Sequence, residues 1–200
     1  MTTRSTRVLL MTAAFLAGLM LCFGVVMIVT GRLSTPVAQQ IAAIGGPFKL
    51  IDQNGQMVTD QDLKGRPFLV FFGFTHCPDV CPTTLFEVSE ILRALGPAAD
   101  RTRALFITVD PERDTPEVLK EYVTSFDAQI LALSGSAEEI ARAAKAYRVY
   151  YAKHPEPGGD YSMDHSSVIY VMDPEGRFTA SFTHQNTPEE IAERLKKLLA

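Results

Sequence analysis

The chain has 200 residues, 46% hydrophobic and 21% charged, with 19 Lys and Arg against 23 Asp and Glu for a formal net charge of −4. That is material for one globular domain with a short extra segment, not for two full domains. Three of the basic residues, Arg4, Arg7 and Arg32, flank an uncharged stretch near the N-terminus, so the remainder is more acidic still, which argues against a nucleic-acid partner.

The uncharged stretch is Val8 to Val29, VLLMTAAFLAGLMLCFGVVMIV. At about 1.5 Å per residue a helix of this run crosses a hydrocarbon layer of roughly 30 Å. Arg4 and Arg7 precede it with no acidic neighbour, so residues 1–7 are expected in the cytoplasm, 8–29 in the membrane and the rest outside. A cleaved signal peptide has an apolar region of about 7–15 residues and a small-residue exit site, and this run is longer and lacks one. Cys22 follows the bulky Leu19, Met20 and Leu21, unlike a lipidation site, and reads as a membrane-buried thiol. With no room before Val8 for an Arg- and Ser-rich presequence, the expectation is a single-pass bacterial inner-membrane protein with its domain in the periplasm.

Residues 30–46 read as a linker, small and polar, with Pro36 and the stop Gly45-Gly46-Pro47, and 47–200 as the domain. In chain order, FKLID and MVTD flank Gln53-Asn54-Gly55-Gln56, a β-hairpin whose Asn-Gly supplies positive φ angles. PFLVFFGFT, from Pro67, is a continuous apolar strand of the kind buried on both faces. Leu85, Val88, Leu92 and Leu95 then recur at helical spacing behind Pro82. RALFITVD is a second strand, Thr115-Pro116 opens a helix to about Phe126, and ILALS is a short strand. Ser136 to Glu139 matches a capping box for a further helix, RVYYA reads as extended and HPEPGGDYSM as loop. SSVIYVMD and RFTASFT flank a Pro174-Glu175-Gly176 turn, and Thr187 to Glu190 caps a last helix. The order β-α-β-α, then hairpin, then helix, predicts an α/β thioredoxin-like fold preceded by a β-hairpin and a single transmembrane helix.

Chemistry concentrates in Thr75-His76-Cys77-Pro78-Asp79-Val80-Cys81-Pro82, where a buried strand meets a helix N-terminus. Free N–H groups and the positive end of the helix dipole favour thiolate over thiol, so acidified cysteines are expected there. A thiolate serves equally as redox nucleophile and as soft ligand for copper(I). The pair is therefore a small-loop disulfide, a redox couple or a metal site. Three residues, Pro78, Asp79 and Val80, separate the cysteines where thioredoxin-type oxidoreductases carry two, and the peroxidase pattern P-x-x-x-T-x-x-C is absent before both Cys77 and Cys81.

In a thioredoxin-like fold the loop entering the final hairpin packs beside the cysteine motif, and here it carries Asp164-His165. An imidazole there completes a Cys₂His set suited to copper or zinc, the thiolates favouring copper(I) and the imidazole tolerating copper(II). His76 is the competing histidine, expected to point away from the ligands but to stand beside them, while His154 and His184 read as exposed. Asp79 is a candidate for tuning thiolate acidity or partner docking, and Asp164 for orienting His165 by hydrogen bonding. Asp110-Pro111-Glu112-Arg113-Asp114 ends a strand at the same sheet edge, as a functional group of residues or as a turn with a helix cap.

FGFTHCPDVCPTTL, FITVDPERDTPEVLKEYV and DHSSVIYVMDPEG closely resemble the Sco/SenC family, and the likeness runs from about Pro47 to the C-terminus. The resemblance implies a thioredoxin-like copper protein with one N-terminal anchor. It implies one copper, as Cu(I) and Cu(II), held by Cys77, Cys81 and His165, and a role in building the binuclear copper centre of cytochrome c oxidase subunit II. The expectation is a non-enzymatic metallochaperone partnered by subunit II, a periplasmic copper donor and a thiol reductant. The alternative is a thiol-disulfide oxidoreductase that reduces the cysteines of that centre, with Cys77 and Cys81 as the redox-active pair.

Overall fold

The structure, a computed structural model, describes residues 3–33, 44–183 and 185–199, so His184 and residues 34–43 of the expected linker lie outside the described residues. The chain divides into two units, Met1–Ala42 and Ala43–Ala200. The described residues of the first form one helix, α1 (Thr3–Leu33), which includes the uncharged run from Val8. Among the described residues no helix is long and apolar enough to cross a membrane, so the anchor rests on the sequence.

The second unit is built on a seven-stranded sheet in the order β2-β1-β5-β4-β3-β8-β9. An interior strand, β3 (Phe68–Gly73), is the apolar run read from the sequence, and all six residues are buried. It lies parallel to β4 (Arg103–Thr108) and antiparallel to β8 (Ile169–Met172), with Val70 opposite Leu105 and Tyr170. β5 (Ile130–Ser134) extends the parallel part and β9 (Phe178–Phe182) the antiparallel part. At the far edge β1 (Lys49–Asp52) and β2 (Met57–Thr59) form the expected hairpin, with Gly55 at φ +76° and Asp52 Oδ1 accepting the Asn54 and Gln56 amides at 2.8 Å.

Helices cover the sheet because their apolar residues recur on one face. In α2 (Val80–Leu95) the four residues expected to face inward, Leu85, Val88, Leu92 and Leu95, are all buried, and the helix packs against α5 (Pro188–Leu199). α3 (Pro116–Val123) starts as read, with Thr115 Oγ1 accepting from the Val118 amide, but ends at Val123 and not near Phe126, the chain continuing in isolated turns. The reciprocal Ser136 and Glu139 cap opens α4 (Ala137–Tyr147), and Thr187 with Glu190 caps α5. The whole is the thioredoxin-like α/β plan.

One segment corrects the sequence reading. HPEPGGDYSM is not loop: β6 (Tyr151–Pro155) and β7 (Tyr161–His165) pair antiparallel as a separate two-stranded sheet, with Tyr151 opposite His165. The turn between them uses Gly158 (φ +94°) and Gly159 (φ +89°) and is closed by the Glu156 amide on the Asp160 carbonyl at 2.8 Å. β6 is exposed along most of its length, so the alternation of apolar and polar residues that marks a half-buried strand is missing from it.

Candidate metal centre

β3 delivers the chain to the site through Gly73. A Cβ there would lie 2.7 Å from Cys81 Sγ and 2.8 Å from the Phe106 ring, so any side chain at this position must displace them. The chain then turns, with the Cys77 amide on the Phe74 carbonyl at 3.3 Å, and enters α2. Asp79 is the N-cap residue but its exposed carboxylate makes no capping hydrogen bond. Cys77 Sγ takes that place: the Cys81 amide, in the first turn, donates to it at 3.4 Å. Cys81 is fully buried, Cys77 is half-buried, and both are free cysteines.

His165 arrives at the end of β7 with Nε2 3.3 Å from Cys81 Sγ. Its Nδ1 lies 3.2 Å from the Ser166 carbonyl, which can only accept, so the proton belongs on Nδ1 and the Nε2 lone pair faces the sulfur. The ring stands edge-on to Phe71 and Phe74, with centroids at 6.0 and 5.7 Å. Asp164 does not orient it. Consecutive strand residues face opposite sides, and Asp164 is exposed and paired with His154 Nε2 at 2.9 Å. His154 is exposed as expected, and exposed His76 contacts Thr75 Oγ1 at 3.2 Å through Nδ1.

Two sulfurs and one imidazole nitrogen thus lie within 4.8 Å of one another and can hold a metal ion. Cys77 and His165 line a cavity of about 480 Å³ whose walls also include Phe74, His76, Arg113 and Tyr161, with Cys81 buried behind them. Burial pushes the Cys81 thiol well up, the Phe74 amide offsetting this only in part and the neighbouring Cys77 and Asp114 adding to it. The acidification expected at this strand-to-helix joint is therefore not found at Cys81, because removing the sulfur from water disfavours thiolate more than the Phe74 amide stabilises it. Burial also holds the His165 imidazole below its ordinary value, so it is neutral near pH 7. Cys81 thus keeps its proton near neutral pH beside a free imidazole lone pair, and a soft cation would bind there by displacing that proton.

The Asp110–Asp114 turn has partners that sequence reasoning missed. Buried Asp114 accepts from the Thr75 amide (3.0 Å) and Thr108 Oγ1 (2.6 Å) through Oδ2, and from Thr75 Oγ1 (2.6 Å) through Oδ1. It ties the loop before Cys77 to the end of β4. The parts played by Gly73 and Tyr161 are likewise absent from the sequence reading; the glycine inside an apolar strand is the available signal for a close approach.

Fold and site together define a thioredoxin-like domain with a Cys₂His cluster able to hold a metal ion. The SCO1/SenC family model matches residues 36–200, and the chain belongs to that family. It is 40% identical to the mitochondrial SCO2 homolog of Bos taurus over 169 residues, 83% of this chain and 64% of the bovine protein's length. Among solved structures, Bradyrhizobium japonicum ScoI with copper bound is 58% identical with a TM-score of 0.75, over 78% of this chain and 99% of that one. BsSco, a member of the Sco family of cytochrome c oxidase assembly proteins in which a disulfide switch was identified, is 26% identical with a TM-score of 0.64, over 79% and 94%.

Proposed function

We propose that this chain is a copper chaperone, anchored in the bacterial inner membrane by residues 8–29, that delivers copper from the periplasmic side to the binuclear centre of cytochrome c oxidase subunit II. The observation that carries the reading is the convergence of Cys77, Cys81 and His165 to within 4.8 Å. Copper is the cargo: two thiolates satisfy copper(I) in near-linear geometry, and the imidazole adds the ligand that copper(II) needs. Half-buried Cys77 offers a sulfur to an incoming ligand while buried Cys81, with the half-buried His165, still holds the ion, which is the order that transfer by ligand exchange requires. The likeness to copper-bound ScoI supports the choice of metal. Support for the topology comes from the uncharged run behind Arg4 and Arg7.

The same asymmetry favours a second reading. An accessible Cys77 beside a shielded Cys81 is the arrangement of an attacking and a resolving thiol, so the chain would reduce a disulfide of the target, forming its own Cys77–Cys81 disulfide. His165→Ala separates the two. The chaperone loses copper(II) binding far more than copper(I) binding and leaves oxidase activity low in cells carrying only this variant; the reductase keeps oxidase activity, because dithiol exchange needs no imidazole. Wild-type oxidase assembly by the variant would reject the chaperone.

A further inference from the structure

We infer that the Asp110–Asp114 turn positions His165 by clamping the ring of Tyr161, so that one short segment aligns both halves of the metal site; this rests on the three-ligand reading above. The β6–β7 arm is a two-stranded sheet of its own, and such ribbons are marginal in water, so its placement depends on what it docks against. Tyr161, Met163 and His165 share one face of β7, which puts the ring about 13 Å along the strand from the imidazole.

That ring is gripped from both sides. Arg113 Cζ lies 3.3 Å from its centroid and Lys153 Nζ 3.7 Å, distances that two cations reach only on opposite faces. Arg113 Nη2 also donates to the Tyr161 carbonyl (2.7 Å) and to Asp160 Oδ1 (2.6 Å). The Tyr161 hydroxyl donates to Asp110 Oδ1 at 2.7 Å, and Lys153 pairs with Glu112 at 2.6 Å. Asp110 and Arg113 side chains are only 3% and 17% exposed, so their side of the grip is shielded, whereas Lys153 and Glu112 stand in solvent. Four residues of the segment thus have assigned tasks: Asp110, Glu112 and Arg113 hold the arm, while Asp114 holds Thr75, two positions before Cys77. Tyr161 and Arg113 act through His165 and are positioning residues.

The test compares Tyr161→Leu with Tyr161→Phe in the full chain, solubilised in detergent, beside wild type and His165→Ala. Copper(II) is followed by thiolate charge-transfer absorption and by nitrogen hyperfine coupling in electron paramagnetic resonance; copper(I) stoichiometry is measured on the reduced protein. Tyr161→Leu is expected to weaken copper(II) binding by about 10-fold or more and to lose nitrogen coupling, as when the groups supporting a metal ligand are removed. Copper(I) stays near one equivalent, since both thiols remain. Tyr161→Phe keeps the ring between its cations and restores both copper(II) signals. Wild-type copper(II) behaviour in Tyr161→Leu overturns the clamp, and a Tyr161→Phe as impaired as Tyr161→Leu overturns the grip on the ring, because it would place the hold in the hydroxyl's bond to Asp110 alone. Should Tyr161→Leu fail to fold, Arg113→Met is read by the same criteria. A wild type indistinguishable from His165→Ala sinks the three-ligand reading and the clamp with it, whereas a normal wild type with unaffected clamp variants sinks the clamp alone.

Discussion

Cys81 Sγ and His165 Nε2 meet at 3.3 Å across 84 positions of sequence, one carried on the first turn of α2 and the other at the end of an arm outside the main sheet. The cysteine half follows directly on a fully buried strand, and the histidine half is brought to it by docking. Consequences follow for proton coupling, for the strand beneath the site and for the loop that frames it.

The raised Cys81 thiol makes both stability and metal loading pH-dependent. Folded Cys81 keeps its proton where the unfolded thiol, near its ordinary 9.0, releases it. The stabilisation is complete below that pH and is lost as pH rises past it, at up to about 1.4 kcal/mol per unit. Unfolding of reduced, metal-free protein between about pH 8 and 10 should show this slope, flattened in Cys81→Ala. Copper(I) loading should release the same proton, so apparent affinity gains about tenfold per pH unit for each proton displaced. A loading curve flat with pH would contradict the protonated resting state.

Gly73→Ala should destabilise the domain by about 1–3 kcal/mol, because its methyl group would press on Cys81 Sγ at 2.7 Å and on the Phe106 ring at 2.8 Å. The displaced sulfur should also lower copper(I) occupancy. Denaturant unfolding with metal analysis measures both, and an unperturbed variant would mean that the sulfur is free to move.

Asp114→Ala removes the acceptor for the Thr75 amide and for two hydroxyls in a buried setting. A loss of about 3 kcal/mol is expected, less in Asp114→Asn, which retains one acceptor oxygen. Copper(I) binding should weaken in step as the loop before Cys77 loosens. Equal stability of wild type and the alanine variant would show that the turn does not depend on this carboxylate.

Protease added to spheroplasts should remove the domain while leaving the N-terminal helix with the membrane. The motive is the uncharged run from Val8 to Val29 behind Arg4 and Arg7. Protection of the domain, or a mature N-terminus beyond Val29, would overturn the single-pass arrangement.

What the amino-acid sequence determined by itself is whatever depends on near neighbours. The buried strand Phe68–Gly73, the apolar face of α2, the caps at Thr115, Ser136 and Thr187 and the Asn54-Gly55 turn all follow from spacing and side-chain chemistry within a few residues. Cys77 and Cys81 are legible for the same reason, being placed at a strand-to-helix joint by local pattern, and His165 was reached through the topology that pattern implied. Only the tertiary structure decided that the segment before His165 is a strand pair, since its exposed residues owe their pairing to docking and not to an apolar alternation. It also decided the acidity of Cys81, where burial by residues distant in sequence outweighs the local helix terminus. The roles of Gly73, Asp114 and Tyr161 are of the same kind: each is defined by a contact with a separate element, and a contact between separate elements leaves no spacing in the chain from which to read it.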